Sequence, residues 1–502
     1  MFKLIIKPAA KEVSAKPLSL TVKYLVSGKS LNKSLSEYEK LNHLKLSPLQ
    51  RKSFLLDDGK EVRISGTDNK PGDTFIFKIK IDDSFTVDYF RNHLAGFIGG
   101  IQNEEVQSLT IITPDFDLIK NIFTDEKYYY RTFVEGLVLG NYSFDLYKSD
   151  KKIKKNLEVF IQSSNFKLLQ SAVKTSLNLM EGVLFTKDLQ NEPGLNLTPD
   201  LLSKRISAKL KKQGIKVRVF DEKEIQKRKM GGLWAIGMGS DNPPRFIVIE
   251  YNGASKNNNK KQKKIALVGK GITFDTGGIS LKPAADMAEM KGDMSGAAAV
   301  AGAILAASLE KLQVNIIGII PSAENMPSGK SVRPGDIVKT SSGKTIEVDN
   351  TDAEGRVILA DGLDFASKEK PDIIIDLATL TGACVVALGE FAAGLFTKNE
   401  ILSDELYNAG TKTNERLWAM PMWDDFNQLI KSDVADVKNL GGRWGGAISA
   451  AKFLEKFVDK KIPWAHLDIA GPASPNSFTN YSKKYMTGFG VRLLFEYLLN
   501  KV

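Results

Sequence analysis

Residues 265–278, Ile-Ala-Leu-Val-Gly-Lys-Gly-Ile-Thr-Phe-Asp-Thr-Gly-Gly, pass within a single position from an apolar run to glycines interleaved with Lys270, Thr273 and Asp275. An apolar run with no polar face reads as a strand buried on both sides, which places it inside a sheet covered by helices. Charged residues directly after such a strand fall in the loop at its end, where α/β sheets carry ligands. The same alternation extends outward to a helix near 199–213, strands over 216–220 and 245–251, a helix over 295–309, a strand over 313–320, a helix over 356–367 and a strand over 372–377. The fold class that follows is α/β, with a mixed, largely parallel sheet flanked by helices.

Upstream, extended runs at 75–81 and 109–112 alternate with helical stretches near 86–99 and 129–141, so the N-terminal part is a second, smaller α/β domain. Leu168, Leu169, Val173, Leu177, Met180 and Val183 fall at helical spacing. The chain therefore reads as an N-terminal domain over 1–163, a connecting helix over 164–189 and a larger C-terminal catalytic domain over 190–502.

Chemistry concentrates in two places. Asn350-Thr-Asp-Ala-Glu-Gly-Arg356 packs two carboxylates and a guanidinium into one turn, and Lys270, Asp275, Lys282 and Asp293 lie around the strand end described above. Hard divalent cations take oxygen ligands, and two of them about 3.5–4 Å apart can clamp a hydrolytic transition state. A dinuclear metallohydrolase is the reading these residues support. Taken singly, each acid is an ordinary surface or capping residue; it is the clustering among glycines that argues otherwise.

Competing chemistries lack their residues. Gly329-Lys330-Ser331 and Gly343-Lys344-Thr345 copy the end of a phosphate loop, but Glu324 and Val338 stand where its first glycine belongs. Histidine occurs only as His43, His93 and His466, with no paired zinc spacing, and His466 reads as a satisfied core residue. The single cysteine, Cys384, excludes an internal disulfide and reads as a small buried hydrophobe. Its isolation, together with a start too short and too charged for a signal peptide, leads us to expect a cytoplasmic protein. The apolar run 373–396 is the place where a hydropathy scan would report a membrane span, but Asp376 and Glu390 would each cost about 2.5–3.5 kcal/mol near a bilayer centre. It reads as a buried strand, an active-site loop and further core, with no membrane partner. A net charge of +11 allows nucleic-acid binding. The basic tracts 256–264 and 151–155 read instead as solvated surface, the former as a hairpin loop between two strands, and no nucleic-acid-binding signature is present.

Asn350–Arg356, with Asn191-Glu-Pro193, Gly269-Lys-Gly271, Phe274-Asp-Thr-Gly-Gly278, Asp376-Leu-Ala-Thr-Leu-Thr-Gly-Ala383 and His466-Leu-Asp-Ile-Ala-Gly471, resembles the leucyl aminopeptidase family of dinuclear metal exopeptidases over nearly everything after about residue 130. The resemblance implies that Lys270, Asp275, Asp293 and Glu354 hold one metal and Asp275, Asp352 and Glu354 the other, with Asp275 and Glu354 bridging. Zinc or manganese is the implied ion, with magnesium or cobalt as further candidates. Lysine ligates only as the neutral amine, so Lys270 is expected to have a depressed pKa. Lys282 is implied as the catalytic cation for the oxyanion, and Arg356, with Gly355 and Leu380, as the holder of a bicarbonate ion acting as general base. Met290, Thr379, Gly382, Ala470 and Ala473 are implied to line an apolar pocket for the first residue of peptide substrates, leucine and its like. The family assembles as a homohexamer, a dimer of trimers. Two alternatives are a DNA-binding regulator built on the same fold and a catalytically inactive paralogue; all seven metal and catalytic positions are intact, whereas an inactive paralogue usually loses some.

Overall fold

The computed structural model describes residues 2–10, 17–56, 58–66, 71–123, 125–150, 154–254, 263–285 and 287–501. The chain forms two compact units, Met1–Leu177 and Asn178–Val502, and the helix Phe166–Gln190 runs through the point of division. In the first unit six strands form one sheet. Its inner strands, Lys155–Gln162, Ser108–Ile112, Ser19–Val26 and Asp73–Ile79, pair in parallel, and Glu61–Ile64 at one edge is antiparallel. Helices Tyr89–Gly100 and Glu126–Gly140 supply the aromatic core residues Phe90, Tyr129 and Phe133.

The second unit is built on a nine-stranded mixed sheet. At its centre the strand Lys264–Gly269 lies between Ile373–Ala378 and Asn315–Asn325, parallel to both. Trp464–Asp468 continues the parallel run on the far side of Ile373–Ala378. Beyond Gly269 the chain re-enters as Gly271–Asp275 and pairs with the last residues of Asn315–Asn325, Asp275 opposite Asn325. Parallel pairing sends all these strand ends to one edge, so Lys270, Asp275, Thr379 and Ile469 leave the sheet together.

Helix Ser295–Glu310 is almost wholly alanine, glycine and aliphatic residues, and every position from Ser295 to Ala307 is buried. Its small side chains let backbone approach backbone: a Cβ on Gly296 would stand 2.0 Å from the Leu377 carbonyl oxygen and 2.9 Å from the Lys270 nitrogen. The span Met287–Glu310 is long and apolar enough to cross a bilayer by length and composition alone, yet 89% of its most apolar 18-residue window is buried inside the unit. It is a core helix. The run 373–396, where the sequence suggested such a window, begins with the expected strand Ile373–Ala378 and ends in the buried strand Ala393–Phe396, but between them stands a helix, Gly382–Leu388, where a loop and core were expected.

One reading needs correction. Strands Arg245–Asn252 and Lys264–Gly269 do not form a hairpin, because Asn315–Asn325 inserts between them, antiparallel to the first and parallel to the second. The basic tract that links them falls largely in 255–262, outside the described residues, as do residues 151–153 of the other basic run. Sequence neighbours with similar apolar content carry no record of which strand each will pair with.

The close approach at Gly296 gives a stability prediction. Gly296→Ala should lower stability by about 1–3 kcal/mol or more, since the clash is with backbone that cannot rotate away. Gly329→Ala, where a Cβ meets nothing within 4 Å, should stay within about 0.5 kcal/mol of the parent. Denaturant unfolding of the two variants checks this, and equal midpoints would refute it.

Candidate metal centre and active site

Four elements deliver the charged residues to one place. Lys270 sits at the end of a central strand, with its amide donating to Leu377 O at 3.0 Å and its carbonyl accepting from Ala297 N at 2.9 Å. Asp275 ends the short strand paired with Asn325, and Asp293 follows the 3₁₀ turn Met287–Gly292 at the threshold of the buried alanine helix. Glu354 opens helix Glu354–Lys368, where the helix macrodipole favours a carboxylate. Asp352 stands two residues ahead of it.

The Lys270 ammonium lies 2.8 Å from Asp293 Oδ2, 2.8 Å from Glu354 Oε1 and 2.9 Å from the Thr379 carbonyl oxygen. A Cβ on Gly355 would fall 2.6–2.8 Å from the end of that side chain, so only glycine leaves room for it. Lys282 meets Asp275 Oδ2 at 2.9 Å and also contacts Asp352. Asp275 Oδ1 accepts from Asn325 Nδ2 at 2.8 Å and from Gly277 N at 2.9 Å. Thr379 Oγ1 donates to Asp293 Oδ1 at 2.7 Å.

Asp275, Asp293 and Glu354 each present an oxygen, all within 4.8 Å of one another and all buried. Among the described residues, Glu354 Oε2 has no hydrogen-bond partner. A buried, unpartnered carboxylate oxygen beside two further carboxylates is costly unless a cation completes it, so this donor set fits a hard divalent ion. Asp352, half-buried on the far side of Lys282, extends the set toward a second ion, and the residues present fit the dinuclear arrangement that the sequence suggested.

Titration behaviour reflects the same crowding. Burial works to lower the Lys270 pKa, but the charges of Asp293, Glu354 and Asp275 outweigh it and hold the amine above its ordinary value. Burial raises Asp293, against the pull of Lys270, and burial with the Asp275 charge raises Glu354. Lys282 is likewise raised, Asp275 and Asp352 overcoming burial. The neutral amine expected at Lys270 is therefore not what the protein groups alone produce; only a cation competing with the proton can supply it.

Arg356, buried in the first turn of the same helix, donates from Nη1 to the Asn439 carbonyl at 2.7 Å, while its Nε has no partner among the described residues. Burial pushes its pKa down to about 10, with Glu354 and Asp468 acting in the opposite direction, so it stays charged at neutral pH. An unpartnered guanidinium N–H and the first-turn amide of Gly355 suit an anion such as bicarbonate. The Leu380 amide is already engaged, donating to Asp468 Oδ1 at 3.1 Å.

The expected pocket residues spread over three short segments. Met290 is half-buried in the 3₁₀ turn before Asp293, Thr379 and Gly382 flank the loop after strand Ile373–Ala378, and Ala470 and Ala473 share the helix Ala470–Ala473. Ala470 is half-buried, whereas Ala473 has no exposed surface. His466 lies apart from the metal ligands as a core residue, Nδ1 paired with Asp376 Oδ1 at 2.6 Å. Cys384 is buried, and burial pushes its thiol up to about 12.

Two positioning residues carry no clear mark in the sequence. Asn325 holds Asp275 and donates to Thr351 O at 3.0 Å, tying the two acidic segments together. Asn439 accepts from Asp349 N at 2.8 Å and donates to Asn350 O at 2.7 Å, bracing the turn that carries Asp352 and Glu354. The only local signal for Asn325 is a polar residue closing an apolar strand.

Comparison with known proteins agrees with this geometry. A family described as "Cytosol aminopeptidase family, catalytic domain" matches residues 184–495. A probable cytosol aminopeptidase of Chlorobium limicola is 43% identical over 465 residues, covering 89% of this chain and 90% of the relative. That of Chlorobaculum parvum is 50% identical over 373 residues, 72% of this chain and 73% of the relative. Among solved structures, a mutant leucine aminopeptidase from tomato superposes with a TM-score of 0.86 at 31% identity, covering 99% of this chain and 97% of that one. The bottromycin maturation enzyme BotP in complex with Mn superposes with a TM-score of 0.83 at 32% identity, covering 97% and 99%.

Because the carboxylates hold the proton on Lys270, an ion that takes this amine as a ligand must displace that proton. Apparent metal affinity should therefore rise with pH, by about tenfold per unit for each proton released. Calorimetric titration of the metal-free protein in buffers of different ionisation enthalpy measures the release directly. Binding that releases no proton and shows no pH dependence would remove Lys270 from the ligand set.

Proposed function

The chain belongs to the cytosol aminopeptidase family and is a metal-dependent aminopeptidase, and from that premise we propose that it removes leucine and other apolar residues from the N-termini of peptides. The observation that carries the reading is the buried convergence of Lys270, Asp275, Asp293 and Glu354, with Glu354 Oε2 unpartnered among the described residues. Lys270, Asp275, Asp293 and Glu354 would hold one ion, and Asp275, Asp352 and Glu354 the second. When bound, two such ions supply Lewis acidity and a water acidic enough to act as nucleophile near neutral pH.

The chain's own groups do the rest. Lys282, kept charged by Asp275 and Asp352, is the fixed cation for the oxyanion that develops at the scissile carbonyl. Arg356 and the Gly355 amide would hold bicarbonate as the proton acceptor, the Leu380 amide being taken by Asp468. Met290, Thr379, Gly382 and Ala470 form the apolar wall for the first side chain, whereas Ala473, having no exposed surface, does not reach the substrate. Zinc and manganese lead the metal candidates; the Mn-bound relative favours manganese, with magnesium and cobalt also suited to an oxygen-rich set. A cytoplasmic location and a homohexamer, a dimer of trimers, complete the reading. Trp418, Trp423 and Trp444, exposed on the catalytic unit, are large apolar side chains that subunit contacts would cover.

Three substitutions separate metal binding from catalysis. Glu354→Gln should lose at least one ion while the fold survives, because an amide brings no charge to offset a dication; near-normal turnover with both ions retained would contradict the bridging role. Lys282→Ala should keep its metal content and lose turnover by roughly a hundredfold or more, with KM nearly unchanged. Arg356→Ala should keep its metal and respond much less to added bicarbonate than the parent. Metal analysis beside steady-state kinetics on leucyl amides checks these outcomes, and metal loss in Lys282→Ala would overturn its assignment.

A further inference from the structure

Asp468 carries no metal and belongs to none of the roles above, yet it is fully buried at the sheet edge where the site is built. Strands Ile373–Ala378 and Trp464–Asp468 are parallel with Ala378 opposite Asp468, so both chains leave the sheet side by side. Ile469 N then donates to Ala378 O at 2.8 Å. The Asp468 carboxylate collects donors from both departing segments. Its Oδ1 accepts from Leu380 N at 3.1 Å, Thr381 N at 3.4 Å and Ala470 N at 3.2 Å, and its Oδ2 accepts from Thr381 Oγ1 at 2.7 Å.

We propose that Asp468 is a positioning residue that bolts the 379–381 segment to Ala470 and thereby fixes the substrate-pocket wall against the Lys270–Asp293 pair. The segment is functional at its first residue: Thr379 accepts from Lys270 through its carbonyl and donates to Asp293 through its hydroxyl. On the other side of the carboxylate, Ala470 begins the short helix that presents the second wall. Charge-assisted hydrogen bonds to a buried carboxylate are about twice as strong as neutral ones, which suits a group asked to hold two loops together beyond the strand ends. The inference rests on the aminopeptidase reading of the site.

The test uses the metal-saturated enzyme with leucyl and alanyl p-nitroanilides. Asp468→Ala should raise KM for the leucyl substrate by roughly tenfold or more and narrow the leucyl-over-alanyl preference, because a wall displaced by an ångström fits the larger side chain worst. Asp468→Asn should restore most of the loss. Its amide oxygen still accepts the three backbone N–H groups, and the Thr381 hydroxyl can turn to accept from the new NH₂. A uniform fall in kcat for both substrates with KM and preference unchanged would mean only a smaller folded fraction and would overturn the proposal. An Asp468→Asn variant as impaired as Asp468→Ala would also overturn it, assigning the role to the negative charge felt by Arg356. If Asp468→Ala does not fold, Thr381→Val and Thr381→Ser decide. The valine variant should show a smaller change in the same direction and the serine variant none, and a valine variant with parental KM and preference would overturn the proposal. Absence of turnover in the parent enzyme would instead remove the functional reading, leaving the two failures distinguishable.

Discussion

The Lys270 ammonium stands between Asp293 and Glu354 in a setting almost closed to water, and the remainder of the catalytic unit is arranged around making that burial tolerable. An isolated buried carboxylate would take up a proton instead of ionising, and several together repel one another. Fixed cations from two lysines and backbone donors from glycine-rich turns reduce the cost without cancelling it. What remains is a Glu354 oxygen unpartnered among the described residues and a set of acids with raised pKa values, which is the electrostatic signature of a site made for cations the chain does not itself carry.

This demand explains features of the fold that have no chemistry of their own. The alanine helix Ser295–Glu310 approaches Leu377 and Lys270 closely because Gly296 has no side chain, and that approach sets where Asp293, just ahead of the helix, can stand. Gly355 does the same for the Lys270 side chain. Small residues in these positions trade packing volume for backbone proximity, and proximity brings side chains from distant parts of the chain within hydrogen-bonding reach. Asn325, Asn439 and Asp468 then fasten the loops to one another, so the charged residues sit on braced turns instead of free ones.

Much of the site is legible in the order of residues along the chain. The seven charged positions lie in short, glycine-marked segments whose residue types already limit the chemistry, and the structure brings Lys270, Asp275, Asp293, Glu354, Lys282, Asp352 and Arg356 together. The strands and helices that the sequence named in the catalytic unit are present, most within two residues of the expected spans and the strand expected over 313–320 running on to Asn325, since periodic burial is written locally, one face at a time. His466 and Cys384 are core residues, as their apolar neighbours implied.

Sequence by itself determined which residues are available for chemistry and which stretches are strand or helix, because both depend on side-chain type and spacing over a few residues. Only the tertiary structure decided partnership. Arg245–Asn252 and Lys264–Gly269, adjacent in the chain, are separated in the sheet by Asn315–Asn325, which overturned the hairpin. Asn439 braces the 349–350 turn from 89 residues away, and Asp468 reaches Leu380 across 88. A polar side chain announces that it will need a partner when buried. Which partner it finds depends on sheet order and strand register, and these are settled by the packing of the whole unit.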